Sequence, residues 1–199
     1  MKNKIILLIL SLFFSLNLKS QNCFVADIIM LIDYSASESG NERLLIGSAL
    51  DFVSELEISE TQVRLGIIIF YDDCFPLANL SGSKPYLKNQ IMSLHNIEPS
   101  GSTYVNSALL KANKMLSNER LSHKIIIIVS DGEFYDEKEA QTTALLTRSG
   151  LNCSIFGVQI GGGKEGFEKL TLLTGNPDLI EKSSPENLIE ALKKLNLCN

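Results

Sequence analysis

Apolar runs that alternate with amphipathic stretches constrain the fold of this chain more than any other feature of its sequence. From Phe24 onward, short runs rich in Val, Ile and Leu are followed by segments whose apolar residues recur at helical spacing. This alternation is typical of β-α units wound around a mostly parallel sheet. The sequence therefore predicts a doubly wound α/β fold, and its 199 residues suffice for one well-buried domain.

Two of the apolar runs lead into an aspartate. V-A-D-I-I-M-L-I-D ends at Asp33, and K-I-I-I-I-V-S-D-G contains Asp131. Continuous β-branched runs of this kind indicate central strands that are buried on both faces. The strand at 64–72 is followed so closely by the run at 75–79 that these two must pair antiparallel, because a parallel return needs a dozen or more residues. The helix after Asp131 is expected to end on a left-handed Gly150.

The first twenty residues have the pattern of a cleaved signal peptide. Two lysines precede an apolar run at 5–14, and a polar stretch ends at Ser20. A membrane anchor is the alternative, but it needs about 20 apolar residues, and Asn17 and Lys19 interrupt this run. We expect residues 1–20 to be removed and 21–199 to form one secreted domain without a stable membrane anchor. A periplasmic or cell-surface location remains open.

The charge of the mature chain limits its partners. Without residues 1–20, 15 basic and 23 acidic residues remain, which gives a net charge of −8. An acidic surface disfavours nucleic acid and anionic lipid as partners.

A set of oxygen-bearing side chains follows the central strands. In a sheet of order 3-2-1-4-5-6, the strands that end near Asp33 and Asp131 are neighbours at the topological switch point, where ligands bind. D-Y-S-A-S places two hydroxyls after Asp33, and the S-G-S-T loop adds a third. Hard oxygen ligands suit Mg²⁺, Mn²⁺ or Ca²⁺ rather than zinc. The expected metal ligands are Asp33, Ser35, Ser37, Thr103 and Asp131.

These segments resemble the metal-ion-dependent adhesion site of von Willebrand factor A and integrin I domains. The resemblance is carried by D-Y-S-A-S, by the threonine of S-G-S-T and by S-D-G-E at 130–133, and it extends over about 24–197. It implies a six-stranded sheet with an antiparallel third strand. It also implies a bound Mg²⁺ whose coordination is completed by an Asp or Glu carboxylate of a partner. The family often has a second threonine where this chain has Val105, so the contact surface should differ.

The resemblance also bears on the four cysteines. Export permits disulfides, and four cysteines allow three pairings. In several extracellular members of the family a disulfide links the two ends of the domain, which implies a disulfide between Cys23 and Cys198. Cys74 and Cys153 fall at opposite ends of the expected sheet, beyond the Cα separation of about 7 Å that a disulfide tolerates, so both are expected to be free.

Four residues beside the expected ligands are candidates for contact with a partner: Tyr34, Tyr104, Glu133 and Asp136. The plainer interpretation of such loop residues is solvated surface.

The leading hypothesis is a secreted, metal-dependent protein-binding module and not an enzyme. One alternative is a Mg²⁺-dependent phosphoryl-transfer or hydrolytic enzyme, but enzymes of the haloacid dehalogenase type need a second aspartate where Ser35 stands. A further alternative is an exported structural domain with an incidental metal. The sequence does not determine the partner or the oligomeric state.

Overall fold

The computed structural model describes residues 25–117 and 120–195. Within these ranges six strands form one sheet of order β3-β2-β1-β4-β5-β6. Neighbouring strands are parallel except β2 and β3, which are antiparallel. The predicted fold class and strand order are therefore confirmed. The strands are β1 Ala26–Asp33, β2 Val63–Phe70, β3 Cys74–Ser81, β4 His123–Ser130, β5 Cys153–Ile160 and β6 Ile180–Ser183.

Six α-helices accompany the sheet in the described ranges. They are α1 Glu42–Glu55, α2 Lys84–Met92, α3 Val105–Leu116, α4 Glu137–Gly150, α5 Gly163–Thr174 and α6 Leu188–Lys194. Short 3₁₀ turns lie at Ala36–Glu38, Ser93–Asn96, Pro177–Leu179 and Pro185–Asn187. The described part of the chain contains no helix long and apolar enough to cross a membrane.

Strand β1 separates two hydrophobic clusters. Ile28, Met30 and Ile32 face the cluster that contains the apolar residues of α1, α2 and α6. Ile29 and Leu31 face the cluster that contains those of α3, α4 and α5. Because successive strand residues point to opposite faces, a strand covered by helices on both sides must be apolar throughout. This explains the unbroken apolar run that precedes Asp33.

An ionic cluster lies at the amino end of β1, away from Asp33. Asp27 is fully buried and accepts two hydrogen bonds of 2.8 Å from Arg64. It also accepts bonds from Arg120 at 3.0 Å and Ser122 at 2.9 Å. Burial by itself would raise the pKa of Asp27, but these hydrogen bonds and the two positive charges outweigh it and lower the pKa below its ordinary value. The cluster ties β1 to β2 and to the segment before β4.

One helix end differs from the expectation. Gly150 is the last residue of α4 and is not left-handed; the positive φ of 49° belongs to Asn152. Asn is among the few residues other than Gly that adopt this conformation readily, because its short side chain can bond locally. The turn into β5 is therefore made two residues later than predicted.

Cys74 and Cys153 are free thiols, as expected. Cys153 is buried, and burial raises the pKa of its thiol to about 12. Cys23, Cys198 and the signal-peptide region lie outside the described residues.

Candidate metal site

The carboxyl ends of β1 and β4 lie side by side. Asp33 is the last residue of β1, and Asp131 follows directly after β4. The loop before α3 lies against the segment after β1, because Ser100 N–H donates to the carbonyl of Tyr34 at 3.2 Å and Ala36 N–H donates to that of Gly101 at 3.1 Å. Three separate segments thus meet at this edge of the sheet, as the sequence predicted.

Hydrogen bonds orient both oxygens of Asp33. Oδ1 accepts from the backbone N–H of Ser35 at 3.0 Å, and Oδ2 accepts from the hydroxyl of Ser130 at 2.6 Å. Only 1% of the Asp33 surface is exposed. The hydroxyl oxygens of Ser35 and Ser37 lie 3.0 Å apart, so the turn directs them to one place. Each Asp33 oxygen keeps a lone pair for a further partner.

Asp131 and Thr103 are both nearly inaccessible to solvent. Oδ1 of Asp131 accepts from the backbone N–H of Glu133 at 2.9 Å. The carbonyl of Thr103 accepts from the N–H of Tyr135 at 3.0 Å, so the threonine loop is fastened to the segment after Asp131. Burial raises the pKa of Asp33 to about 6; hydrogen bonds from Ser130 and Ser35 oppose this shift, and the negative charge of Asp131 adds to it.

Glycines allow the loops to approach closely. Gly101 has φ of 74°, and a Cβ there would overlap the carboxylate of Asp72, which accepts from Ser102 N–H at 2.7 Å. Gly162 has φ of 65°, and a Cβ there would overlap the carbonyl oxygen of Asp131. These positions require glycine both for the backbone conformation and for the space.

One of the four candidate contact residues is not available to a partner. Tyr34 has 0% exposure, and its hydroxyl donates to the carbonyls of Leu94 at 3.3 Å and Ile97 at 3.2 Å. Its expected contact role is therefore wrong. It follows Asp33 in an extended segment, and alternate side chains of such a segment point to opposite sides.

Asp136 is half-buried and has a structural role. Its Oδ1 accepts from Val105 N–H at 3.1 Å and its Oδ2 from Asn106 N–H at 2.8 Å. Val105 and Asn106 begin α3, so a carboxylate from another loop caps this helix and matches the positive end of its dipole. The contact expected for Asp136 stays a prediction beside this capping role, and no local sequence signal links residues 30 or 31 positions apart.

The other two candidates do lie at the surface. Glu133 is exposed, and Tyr104 has 39% exposure. Tyr104 stacks on Tyr135 with ring centroids 5.9 Å apart, and Tyr135 has 72% exposure. Sequence reasoning did not single out Tyr135, although it lies only four residues beyond Asp131. An exposed aromatic pair therefore lies next to the threonine loop.

Glu38 is a buried acid that sequence reasoning also missed. It ends the turn Ala36–Glu38 and is only 3% exposed. Burial raises the pKa of Glu38 to about 7, and the negative charges of Asp33 and Asp131 add to the shift, while a hydrogen bond from Asn41 opposes it. The only signal for it is an acidic residue directly after D-Y-S-A-S.

These residues fit a divalent cation. Buried carboxylates are normally paired with a positive charge, yet no ion pair within residues 25–117 and 120–195 involves Asp33, Glu38 or Asp131. Carboxylate and hydroxyl oxygens are the ligands that hard cations prefer. A bound ion would balance the charge that the described residues leave uncompensated.

Similar proteins include a collagen chain. The mouse collagen alpha-6(VI) chain is 29% identical over 133 residues, which cover 62% of this chain and 6% of that relative. The present chain thus spans only a small part of the length of this relative.

Two solved structures share the fold. Proximal thread matrix protein 1 from the mussel byssus, with a zinc-occupied MIDAS motif (metal-ion-dependent adhesion site), aligns with a TM-score of 0.74 and 20% identity over 87% of this chain and 45% of that one. Manganese-loaded TRAP protein from Plasmodium vivax aligns with a TM-score of 0.71 and 19% identity over 87% of this chain and 74% of that one. At these identities the likeness shows the fold.

A family model described as the von Willebrand factor type A domain matches residues 27–194, which is most of the chain. This chain therefore belongs to the von Willebrand factor type A domain family.

Proposed function

We propose that this chain is an exported module that binds a protein partner through a divalent metal ion, Mg²⁺ in the first place and Mn²⁺ or Ca²⁺ as substitutes. One observation carries the proposal: buried carboxylates, which form no ion pair within residues 25–117 and 120–195, lie beside hydroxyl groups at the carboxyl ends of two neighbouring parallel strands. The proposed ligands are Asp33, Ser35, Ser37, Thr103 and Asp131.

The chemistry of the ligands suits attachment of a partner. Two aspartates balance the charge of a divalent ion, and three hydroxyls add oxygen ligands without further charge. When bound, the ion would supply a positive centre for an Asp or Glu carboxylate of the partner. Ser130 and the backbone of Ser35 hold the Asp33 carboxylate in one orientation, which reduces the reorganisation that binding requires.

The surface around the site supports protein recognition. Tyr104, Tyr135 and Glu133 are exposed beside the proposed ligands. Tyrosine is common at the energetic centres of protein interfaces, because its ring offers a large contact area and its hydroxyl a polar end. We assign these three side chains to partner contact.

A catalytic role has less support. The hydrogen bonds that the described residues make to Asp33, Ser35 and Asp131 come from backbone N–H groups and hydroxyls, and not from a histidine or lysine that could act as a base. His123 begins β4, at the end of the strand away from Asp131. The relatives in collagen VI and the mussel byssus also point to attachment more than to turnover.

Export and the terminal disulfide belong to the same proposal. Residues 1–20 would direct secretion, and Cys23 would pair with Cys198 in the mature chain. Mass spectrometry of the secreted protein tests both points: we expect an N-terminus at Gln21 and a non-reduced peptide that links the two cysteines. An intact residue 1–20 segment, or two free thiols at these positions, would contradict this part.

The metal site is tested by isothermal titration of Mg²⁺ and Mn²⁺ into the metal-stripped mature domain. We expect saturable binding that Asp33→Asn abolishes and that Asp73→Asn leaves unchanged. Asp73 is an exposed acid whose carboxylate accepts from Cys74 N–H, so its substitution controls for loss of one negative charge. Absence of binding to the wild-type domain would refute the proposal.

The partner's carboxylate is tested on the Mn²⁺-loaded domain with acetate as the probe. A carboxylate that joins the metal displaces water from it, so the Mn²⁺-dependent relaxation of water protons should fall as acetate is added. The methyl ester of acetic acid, which lacks the negative charge, is the control and should have no effect. Equal responses to acetate and the ester would exclude carboxylate capture.

A further inference from the structure

The turn between β2 and β3 lies against the loop that carries Thr103. The N–H of Ser102, directly before Thr103, donates to Oδ1 of Asp72 at 2.7 Å. The N–H of Tyr104, directly after it, donates to the carbonyl of Tyr71 at 3.0 Å. Two consecutive residues of the turn therefore hold the neighbours of Thr103 on both sides.

The turn is itself fastened to the sheet. Phe70 at the end of β2 pairs with Cys74 at the start of β3, so only a short turn connects the two strands. Within it, the N–H of Tyr71 donates to the carbonyl of Asp73 at 2.9 Å. Asp72 is exposed to solvent, but these bonds give its backbone a fixed place.

The carboxylate of Asp72 contacts two successive residues of the loop. One oxygen accepts from Ser102 N–H, and the other occupies the space that a Cβ at Gly101 would need. Gly101 has φ of 74°, in the left-handed region that glycine adopts most readily. Asp72 thus lies where the chain takes its direction toward Thr103.

The bond from Ser102 to Asp72 depends on the identity of the acceptor residue. The bonds from Tyr34, Tyr71 and Tyr135 to this loop use backbone groups at both ends, which almost any residue type would supply. The bond to Asp72 instead uses a side-chain oxygen. It is also charge-assisted, and such bonds are roughly twice as strong as neutral ones. Substitution of Asp72 should therefore loosen the loop.

We propose that Asp72 is a positioning residue of the metal site, whose carboxylate holds the loop so that the hydroxyl of Thr103 is directed to the bound ion. This inference rests on the proposed function, in which Thr103 is a ligand. A loop that is ordered beforehand needs less rearrangement when the ion binds. Loss of a residue that orients a metal ligand typically costs about 10- to 100-fold in metal affinity.

The inference is tested by isothermal titration of Mg²⁺ into the metal-stripped mature domain. We expect Asp72→Ala to lower the affinity about 10-fold, because it removes the acceptor of Ser102. Asp72→Asn keeps an acceptor oxygen without the charge and should lower the affinity only about threefold, since a neutral bond is roughly half as strong.

The matched control is Asp73→Ala, which removes the neighbouring exposed acid and should change the affinity less than about twofold. Equal losses in Asp72→Ala and Asp73→Ala would overturn the inference, because a general charge effect would then explain the result. Equal losses in Asp72→Ala and Asp72→Asn would overturn it as well, since the acceptor oxygen would then not matter.

A double substitution shows whether Asp72 acts through Thr103. Thr103→Val replaces the hydroxyl with a methyl group and should weaken Mg²⁺ binding, while two aspartates and two serines remain as proposed ligands. Asp72→Ala should then cause no further loss, because a residue that only positions a hydroxyl has no effect once the hydroxyl is absent. The same loss from Asp72→Ala with Thr103 and with Val at this position would overturn the inference.

The melting temperature of the metal-free domain separates positioning from support of the fold. We expect Asp72→Ala to melt close to the wild type, because the residue is exposed. A much lower melting temperature with unchanged Mg²⁺ affinity would overturn the inference. Should Asp72→Ala fail to fold, Asp72→Leu, which has a similar shape and no acceptor oxygen, is measured in the same way.

The outcomes also distinguish this inference from the proposed function. Wild-type binding that Asp33→Asn abolishes and Asp72→Ala does not affect would refute only the role of Asp72. An affinity that Thr103→Val leaves unchanged would remove Thr103 from the ligands and refute this inference, while the remaining proposed ligands would stand. No binding to the wild type would refute both.

Discussion

The hydroxyl of Ser130 donates a 2.6 Å hydrogen bond to Oδ2 of Asp33, although the two residues are 97 positions apart in the chain. Ser130 ends β4 and Asp33 ends β1, so the bond crosses between neighbouring parallel strands. The same hydroxyl oxygen accepts from Gly132 N–H at 3.0 Å, which fixes the direction of its proton. Ser130 is thus a positioning residue for the proposed ligand Asp33.

Substitution of Ser130 should weaken metal binding without removing a ligand. We expect Ser130→Ala to lower Mg²⁺ affinity about 10-fold, because an unsupported carboxylate must be ordered when the ion binds. Isothermal titration measures the change. Ser54→Ala is the control, since that hydroxyl donates to its own helix at Leu50. An affinity equal to that of the wild type would show that the bond does not position Asp33.

The cap that Asp136 provides should contribute to stability more than to metal binding. Asp136→Ala leaves the N–H groups of Val105 and Asn106 without their acceptor, which should lower the free energy of unfolding by about 1 kcal/mol. Urea denaturation followed by circular dichroism measures this change. The exposed Asp178 provides a control, and Asp178→Ala should leave stability within about 0.5 kcal/mol of wild type. Equal stabilities for the two variants would contradict the capping role.

The ionic cluster at Asp27 should be a strong determinant of stability. Asp27→Asn removes the buried negative charge that Arg64 and Arg120 share, and breaking such a pair costs about 3 kcal/mol. Chemical denaturation at neutral pH measures the loss. Asp178→Asn, at the surface, is the matched control. If the free energy of unfolding falls no more than in the control, the ion pairs of Asp27 with the two arginines do not stabilise the fold.

The same cluster predicts how stability depends on pH. The pKa of Asp27 in the folded chain lies below its ordinary value of 3.8, so its ionised form is stabilised. This contribution is complete above about pH 4 and is lost as the pH falls through the lowered pKa. The unfolding free energy of the wild type should therefore fall more steeply than that of Asp27→Asn between about pH 4 and pH 2. Parallel curves would contradict the lowered pKa.

Tyr34 should act on stability alone. Tyr34→Phe leaves the carbonyls of Leu94 and Ile97 without the hydroxyl that donates to them, at a cost of about 1 kcal/mol. Mg²⁺ affinity should stay within about twofold of wild type, because the ring is buried away from the surface. Thermal unfolding and isothermal titration test the two points. A large loss of affinity with unchanged stability would restore a role for Tyr34 at the site.

The framework of the site could be predicted because it depends on topology. Apolar runs that lead into Asp33 and Asp131 identify central strands, and parallel strands bring their carboxyl ends to one edge. The hydroxyls of Ser35 and Ser37 must then lie near Asp33, because they follow it by only two and four residues. The resemblance to a family pattern supports Thr103 as a ligand, since no local rule connects it to either strand.

Other features could not be predicted because they depend on contacts between distant segments. The capping of α3 by Asp136 joins two loops that only the folded chain brings together. The burial of Glu38 contradicts the general rule that glutamate is exposed, and its cause is the path of a three-residue turn. Tyr34 lies between two site residues in sequence, but its side chain points into the core instead.

The contacts of Gly162 and Gly166 with the carbonyl oxygen of Asp131 link the site to the start of α5. A Cβ at either position would overlap this oxygen, so the two segments have no free space between them. Asp131 cannot move toward the helix unless the helix moves with it. A displacement of Asp131 toward α5 should therefore be accompanied by a displacement of the helix.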